Sequence, residues 1–213
     1  MAHRRYETKK EKRAAKRRKS RRPRKSPAGM ASGTSAGRNR PSMPRPPSSS
    51  AIVLASLDLA KTVGWAVGRI ADAKPICGAW RLPASDSLDV LAARIAALEN
   101  TLGPWLDDEQ IGVLVMAEPF RAKNTFEAES NAGLRGIVRS ECWRRDIPVL
   151  WQPESTVRKE VLGKGRAPTD QMKALVMQWC ARRDIHAIDH NAADAAVLWT
   201  WTAAEMLRQR KAA

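Results

Sequence analysis

Three carboxylates stand where a charge should be costly. Asp58 ends the apolar run Ile52-Val53-Leu54-Ala55-Ser56-Leu57, and Glu118 ends Val113-Leu114-Val115-Met116-Ala117. Asp194 lies within Asn191-Ala192-Ala193-Asp194-Ala195-Ala196-Val197-Leu198. A carboxylate at the tip of a buried strand is stable only with a partner, and two or three converging on one spot need a cation. No Cys/His ligand set accompanies them, so the expected cation is hard and oxygen-bound, Mg²⁺ or Mn²⁺. That chemistry suits a metal-dependent enzyme acting on a polyanion. Without metal, carboxylates roughly 4 Å apart repel by about 4 kcal/mol at an effective dielectric of 20, so the site should then be partly protonated or mobile. Each acid also has a plainer reading. Asp58 could cap a turn before Gly64, Glu118 could be a solvated strand end before Pro119, and Asp194 could be one charge on an alanine-rich helix.

The sharper reading requires elements that carry three distant positions to one place. Residues 52–58 read as a buried strand, 64–70 as a second reached by a short turn, and 74–82 as a third. Connections this short permit only antiparallel hairpins. Leu88, Leu91, Ala92, Ile95, Leu98 and Leu102 recur at helical spacing, predicting a helix from about Ser87 that stops near Gly103-Pro104. The continuous apolar run 111–117 suits a central strand covered on both faces. Residues 124–145 read as a second helix and 147–151 as a short fifth strand, parallel to the fourth through a right-handed crossover. A short helix over 155–162 follows, then the loop Gly163-Lys164-Gly165-Arg166-Ala167-Pro168. Thr169 is the expected N-cap of a helix bearing Met172, Leu175, Val176 and Trp179 on one face, and a last helix runs from Asp189 or His190 to about Gln209. Three antiparallel strands followed by two parallel ones, flanked by helices, is the α/β layout of the ribonuclease H-like fold. On it Asp58 and Glu118 end neighbouring strands, and the last helix can lean Asp194 over the same edge.

Charge is unevenly placed. The chain of 213 residues carries a net +16, yet residues 1–50 hold 17 basic residues against two acids, Glu7 and Glu11. That segment is poor in apolar residues and ends in Pro41-Ser42-Met43-Pro44-Arg45-Pro46-Pro47-Ser48-Ser49-Ser50. It cannot bury enough surface to offset its ordering entropy, so a disordered basic tail over 1–50 and one globular domain over 51–213 are expected. Such an arm attracts nucleic-acid phosphates without reading sequence. A solubilising tail, an import signal or a tether to anionic membrane are the other readings. Cys77, Cys142 and Cys180 are odd in number and form no CxxC pair, so neither a disulfide framework nor a zinc site is indicated. No apolar stretch approaches the roughly 18 residues of a spanning helix, and no apolar segment follows the N-terminal charges. A cytoplasmic protein is expected, or a nuclear one in a eukaryote. The histidines His3, His186 and His190 show no ligand spacing, and the tryptophans fall mostly at apolar-face positions.

Several stretches occur together in one order: Ser56-Leu57-Asp58-Leu59-Ala60-Lys61-Thr62-Val63-Gly64-Trp65-Ala66, Ala117-Glu118-Pro119-Phe120-Arg121-Ala122-Lys123-Asn124, Leu134-Arg135-Gly136, Val161-Leu162-Gly163-Lys164-Gly165-Arg166-Ala167 and Asp189-His190-Asn191-Ala192-Ala193-Asp194-Ala195. In these the chain resembles the RuvC-type Holliday junction resolvases, especially compact phage-like versions. The resemblance implies a homodimeric endonuclease, dependent on two Mg²⁺ (or Mn²⁺) ions, that binds four-way DNA junctions by shape and nicks two strands symmetrically. It also implies a cytoplasmic setting, in a prokaryotic cell or a phage-infected host. Asp58, Glu118 and Asp194 fall on family metal ligands, with Asp58 bridging the two ions. The family's fourth carboxylate falls on Asn191, whose amide offers one neutral oxygen; Asp189 or His190 is close enough to substitute. The resemblance also implies DNA-binding roles for Arg158 and Lys159: Arg158 falls on a family lysine, while Thr169 falls where another lysine is usual, and Lys159, Lys164 and Arg166 are near enough to supply that charge. Lys123, Lys164 and Arg166 are expected on backbone phosphates, and Phe120 falls close to an aromatic that stacks on opened bases. A different ribonuclease H-like nuclease, cutting forks or RNA–DNA hybrids, is the second reading. A DNA-binding protein weakened in catalysis by Asn191 is the third.

Overall fold

Alternation of side chains about one central strand organises the molecule. The computed structural model describes residues 51–83, 88–118 and 125–212; the basic segment 1–50 and the residues Phe120 and Lys123 lie outside them. The elements are β1 (Val53–Asp58), β2 (Thr62–Arg69), β3 (Ile76–Arg81), α1 (Leu88–Asp108), β4 (Val113–Ala117), α2 (Thr125–Arg144), β5 (Val149–Gln152), α3 (Glu154–Leu162), α4 (Thr169–Arg182) and α5 (His190–Ala212). The sheet order is β3-β2-β1-β4-β5. β1 pairs antiparallel with β2 and β2 with β3, whereas β4 runs parallel to both β1 and β5. This is the ribonuclease H-like layout that the order of elements predicts. β1 is central, and β4 is its neighbour.

Successive residues of a strand face opposite sides of the sheet. On one side, Leu54, Val113 and Val115 pack with Val176, Trp179 and the apolar residues of α5. On the other, Ala55, Leu57, Leu114 and Met116 pack with Leu98, Leu102, Leu106, Leu134 and Val138 of α1 and α2. Helix α5 is bound to β1 by polar contacts as well as packing. The Trp199 indole Nε1 donates to the Leu54 carbonyl at 2.8 Å, and the buried Ser56 hydroxyl donates to the Ala195 carbonyl at 2.7 Å. Both groups would be costly to bury without partners. Buried Cys142 and Cys180 belong one to each core, and burial pushes both thiols up to about 12, which keeps them protonated and unreactive.

Helix α1 departs from expectation, because it continues through Gly103-Pro104 to Asp108. An interior proline costs about 3 kcal/mol. Continuing the helix buries Leu106 and brings Trp105 against Trp65 and Trp80, with ring centroids 5.8 and 5.1 Å away. Burying a leucine contributes roughly 1.5–3 kcal/mol and aromatic pairs add about 0.5–1.5 kcal/mol each, enough to offset the proline. Thr169 is also not a cap: it is the first residue of α4, Pro168 occupies the cap position, and the Met172 N–H donates to the Pro168 carbonyl at 2.9 Å. The tryptophans pack mostly on the two cores, as their apolar-face positions predict, and Trp143 is exposed on α2. Among the described residues no helix is long and apolar enough to cross a membrane.

Candidate active site

Strand parity decides which way each acid points. Asp58 shares a face with Leu54 and Ser56, the face covered by α5, so its carboxylate lies under the first turns of that helix. Directly across in β2 stands Gly64. A Cβ there would lie 2.0 Å from the main-chain carbonyl oxygen of Asn191. The missing side chain lets the start of α5 settle onto the sheet beside Asp58, and Asp194, one turn on, reaches the same spot. The helix start is set by Asp189, whose Oδ1 accepts the Ala192 N–H at 2.8 Å.

The resulting cleft is lined by Asp58, Ala117, Glu154, Val157, Arg158, Asp194, Val197 and Leu198. Desolvation there, followed by the charges of Asp194 and Glu154, pushes the Asp58 carboxyl up to about 8 against the opposing pull of Arg158 and Arg135. A partly protonated site is what the repulsion argument expects, with desolvation the larger cause. Burial also raises Asp194, although Arg158 and His190 pull it down. Arg158 donates to Asp194 Oδ1 from Nη2 at 3.0 Å and from Nε at 3.3 Å, and its Nη2 lies 2.6 Å from Glu154 Oε1. One guanidinium therefore serves two acids, and Arg158, expected on DNA, is turned inward.

Glu118 lies one residue beyond the end of β4. It is exposed and lines an adjoining groove with Pro153, Glu154, Ser155, Arg158, Gly165, Arg166, Ala167 and Met172. Its N–H donates to the Gln152 carbonyl at 2.9 Å, extending the β4–β5 ladder by one residue. The Gly-x-Gly loop is shaped by its glycines. Gly163 takes φ 77° to end α3, and a Cβ on Gly165 would come 2.7 Å from the Ser155 carbonyl. The loop thus folds back on α3, with Arg166 at the groove and Lys159 and Lys164 exposed beside it.

Asp58 and Asp194 therefore meet, Glu118 lies in the next groove, and Asn191 and Asp189 serve the start of α5. Two residues not singled out by sequence are close. Glu154, in the first turn of α3, lines both cleft and groove, and burial raises its carboxyl. Arg135 on α2 donates to the Ala117 carbonyl at 3.4 Å, lies 5.9 Å over the Trp151 ring and is felt by Asp58. Nothing in the sequence sets Glu154 apart from a solvated acid at a helix start, whereas Arg135 lies in the stretch Leu134-Arg135-Gly136.

The donor set, carboxylate oxygens with no sulfur and no histidine pair, fits a hard divalent cation. Among the described residues no three Asp, Glu, His or Cys side chains stand close enough together to hold one. Arg158, a cation of the chain itself, lies between Asp194 and Glu154.

A family model described as crossover junction endodeoxyribonuclease RuvC matches residues 83–200. The match includes Glu118, Asn191 and Asp194 and begins after Asp58. RuvC of Corynebacterium efficiens is 29% identical over 126 residues, 58% of this chain and 56% of that protein. RuvC of Streptomyces griseus is 30% identical over 128 residues, 58% of this chain and 62% of its own. The chain thus spans little more than half of these relatives. Thermus thermophilus RuvC, solved in complex with a Holliday junction substrate, superimposes with a TM-score of 0.56 at 13% identity, covering 73% of this chain and 96% of that one. The yeast mitochondrial Holliday junction resolvase Ydc2 gives a TM-score of 0.50 at 13% identity, covering 74% and 81%. At such identities these structures share the fold. The match over residues 83–200 goes further: the chain belongs to the RuvC family.

Proposed function

We propose that this chain is an endodeoxyribonuclease that resolves four-way DNA junctions by paired, symmetric nicks, acting as a homodimer and dependent on Mg²⁺ or Mn²⁺, with two ions per site. The observation that carries this reading is the cleft in which Asp58, from the central strand, and Asp194, from the last helix, share one spot in a chain of the RuvC family. Asp58, Asp194 and Glu118 are the residues that would hold metal, with Asn191 and Asp189 flanking them at the start of α5. Two divalent ions, when bound, supply activation of the attacking water and stabilisation of the leaving 3′ oxygen.

The chain's own residues do the rest. As a ligand Asp58 would have to be deprotonated. Arg166, at the groove that also contains Glu118, and the exposed Lys159 and Lys164 of α3 and its following loop hold backbone phosphates and fix register without reading sequence. Lys123 and Phe120 are assigned phosphate contact and base stacking from the family pattern. The basic segment 1–50 adds sequence-independent attraction. A two-fold dimer would present two clefts to two symmetric strands of one junction. The proposed setting is the cytoplasm.

The test is cleavage of a labelled four-way junction beside matched duplex, fork and RNA–DNA hybrid, in Mg²⁺, Mn²⁺ or EDTA, with nicks mapped on every strand. Paired symmetric nicks on the junction alone, absent in EDTA, are expected. Cutting of forks or hybrids would replace the resolvase with a broader nuclease, and tight binding without cutting would leave a DNA-binding protein.

A further inference from the structure

The family pattern places an acid where this chain has Asn191, and the fold turns that residue to another purpose. Its main-chain carbonyl packs on Gly64, and Asn191 is not among the residues lining the Asp58–Asp194 cleft. An acid from a different element is. Glu154 lies in the first turn of α3, directly after Pro153 and two residues beyond β5. It lines the cleft that contains Asp58 and Asp194 and also the groove that contains Glu118, a position shared only with Arg158 among the residues described there. It is therefore the carboxylate best placed to connect the three acids.

Its partner is equally informative. Arg158 Nη2 lies 2.6 Å from Glu154 Oε1 and 3.0 Å from Asp194 Oδ1. Glu154 and Asp194 therefore each turn one oxygen towards the same cationic group. The Glu154 side chain keeps 42% of its exposure, so it is free to turn once that cation changes. We propose that Glu154 is a metal-ligating residue, supplying the carboxylate that Asn191 lacks, and that Arg158 holds the cation's place until metal binds. This inference rests on reading the cleft as a divalent-metal centre.

The experiment is Mn²⁺ titration of the full-length protein without DNA, following loss of the free-ion EPR signal. If Glu154 is a ligand, Glu154→Gln weakens Mn²⁺ binding by about 10- to 100-fold. Arg158→Gln strengthens binding by removing the competing charge. If Glu154 serves only to position Arg158, Glu154→Gln and Arg158→Gln move affinity in the same direction, and the proposal falls. Unchanged affinity in Glu154→Gln overturns it too. Thermal unfolding in EDTA checks that each isosteric variant is folded. Asp58→Asn is the separate control: if it binds Mn²⁺ like the parent, the metal-centre reading fails whatever Glu154 does.

Discussion

Two clusters of acids and arginines lie on opposite sides of the sheet, and they are built to different ends. Between α1 and α2, Arg145 meets Asp107 bidentately, at 2.7 and 2.9 Å, and Glu141 at 2.5 Å. Arg144 also pairs with Glu141 and lies 3.8 Å from Glu99. Every acid in that group has an arginine on it, and the hydrogen bond from Arg145 holds the Asp107 carboxyl below its usual range. In the cleft under α5, three acids meet one directly paired arginine. Asp58 makes no ion pair among the described residues, and its carboxyl is pushed up to about 8. A cluster that only holds helices together satisfies its own charges. One that leaves negative charge unsatisfied at a strand end is poised for a cation from outside.

The sharpest way to break this comparison is to neutralise one acid on each side. Asp58→Asn should cut metal-dependent nicking on the order of 10³-fold or more while leaving junction binding nearly unchanged, read by paired cleavage and gel-shift assays. Glu141→Gln should leave nicking intact and lower stability by about 2 kcal/mol, because it removes charged hydrogen bonds from a buried group, read by urea unfolding. If Glu141→Gln impaired nicking in folded protein, the division between the clusters would be wrong.

Next in size are the effects of the unsatisfied charge on pH dependence. The folded chain binds a proton at Asp58 up to about pH 8, while the unfolded chain releases it near 3.8. Between those values the native state binds more protons, so this group's contribution makes metal-free stability fall as pH rises and level off above about 8. Metal affinity should run the other way. Loading displaces the proton, so apparent Mn²⁺ affinity should climb roughly tenfold per pH unit towards pH 8 and flatten there. Calorimetric titrations at pH 6, 7 and 8 read the slope, and a flat profile would mean Asp58 is already ionised in the cleft.

A third effect reaches the cleft through backbone alone. Gly64→Ala would set a Cβ 2.0 Å from the Asn191 carbonyl oxygen. Helix α5 must then shift, carrying Asp194 away from Asp58, and a displacement of about 1 Å typically costs on the order of 10² in rate. The expected signature is a drop in nicking together with lower thermal stability. Gly136, where a Cβ meets nothing within 4 Å, should accept alanine without either change.

These residues also show why some of the site was legible in the sequence and some was not. Asp58 and Glu118 announce themselves because each ends an apolar strand, where a lone charge is anomalous. Asp58 ends its strand inside the cleft whereas Glu118 lies one residue past β4, in the adjoining groove, and that offset needs the registered sheet. Glu154 follows a proline at the start of a short helix, a place where a solvated acid is ordinary, so only three-dimensional proximity to Asp58 and Asp194 distinguishes it. The family resemblance offers Asp189 as a substitute ligand, and the fold uses one of its oxygens to cap α5. Helix α1 outruns its sequence signal because the rule for proline is local, whereas burial of Leu106 and the packing of Trp105 are not.

The smallest predicted effect concerns the two clusters' exposed arginines. Arg166 lies at the groove beside Glu118, on a loop folded against α3, and Arg144 is an exposed cation of the structural cluster. If the groove carries phosphates, Arg166→Gln should weaken junction binding several-fold at moderate salt and flatten the log–log salt slope by about 1, uniformly across sequences. Arg144→Gln removes the same formal charge from the molecule, so any change in long-range attraction is common to both. A slope that flattens for Arg166→Gln alone would locate a phosphate contact at the groove. Equal slopes would mean that only net charge is felt, and the Gly-x-Gly loop would then have no direct part in holding DNA.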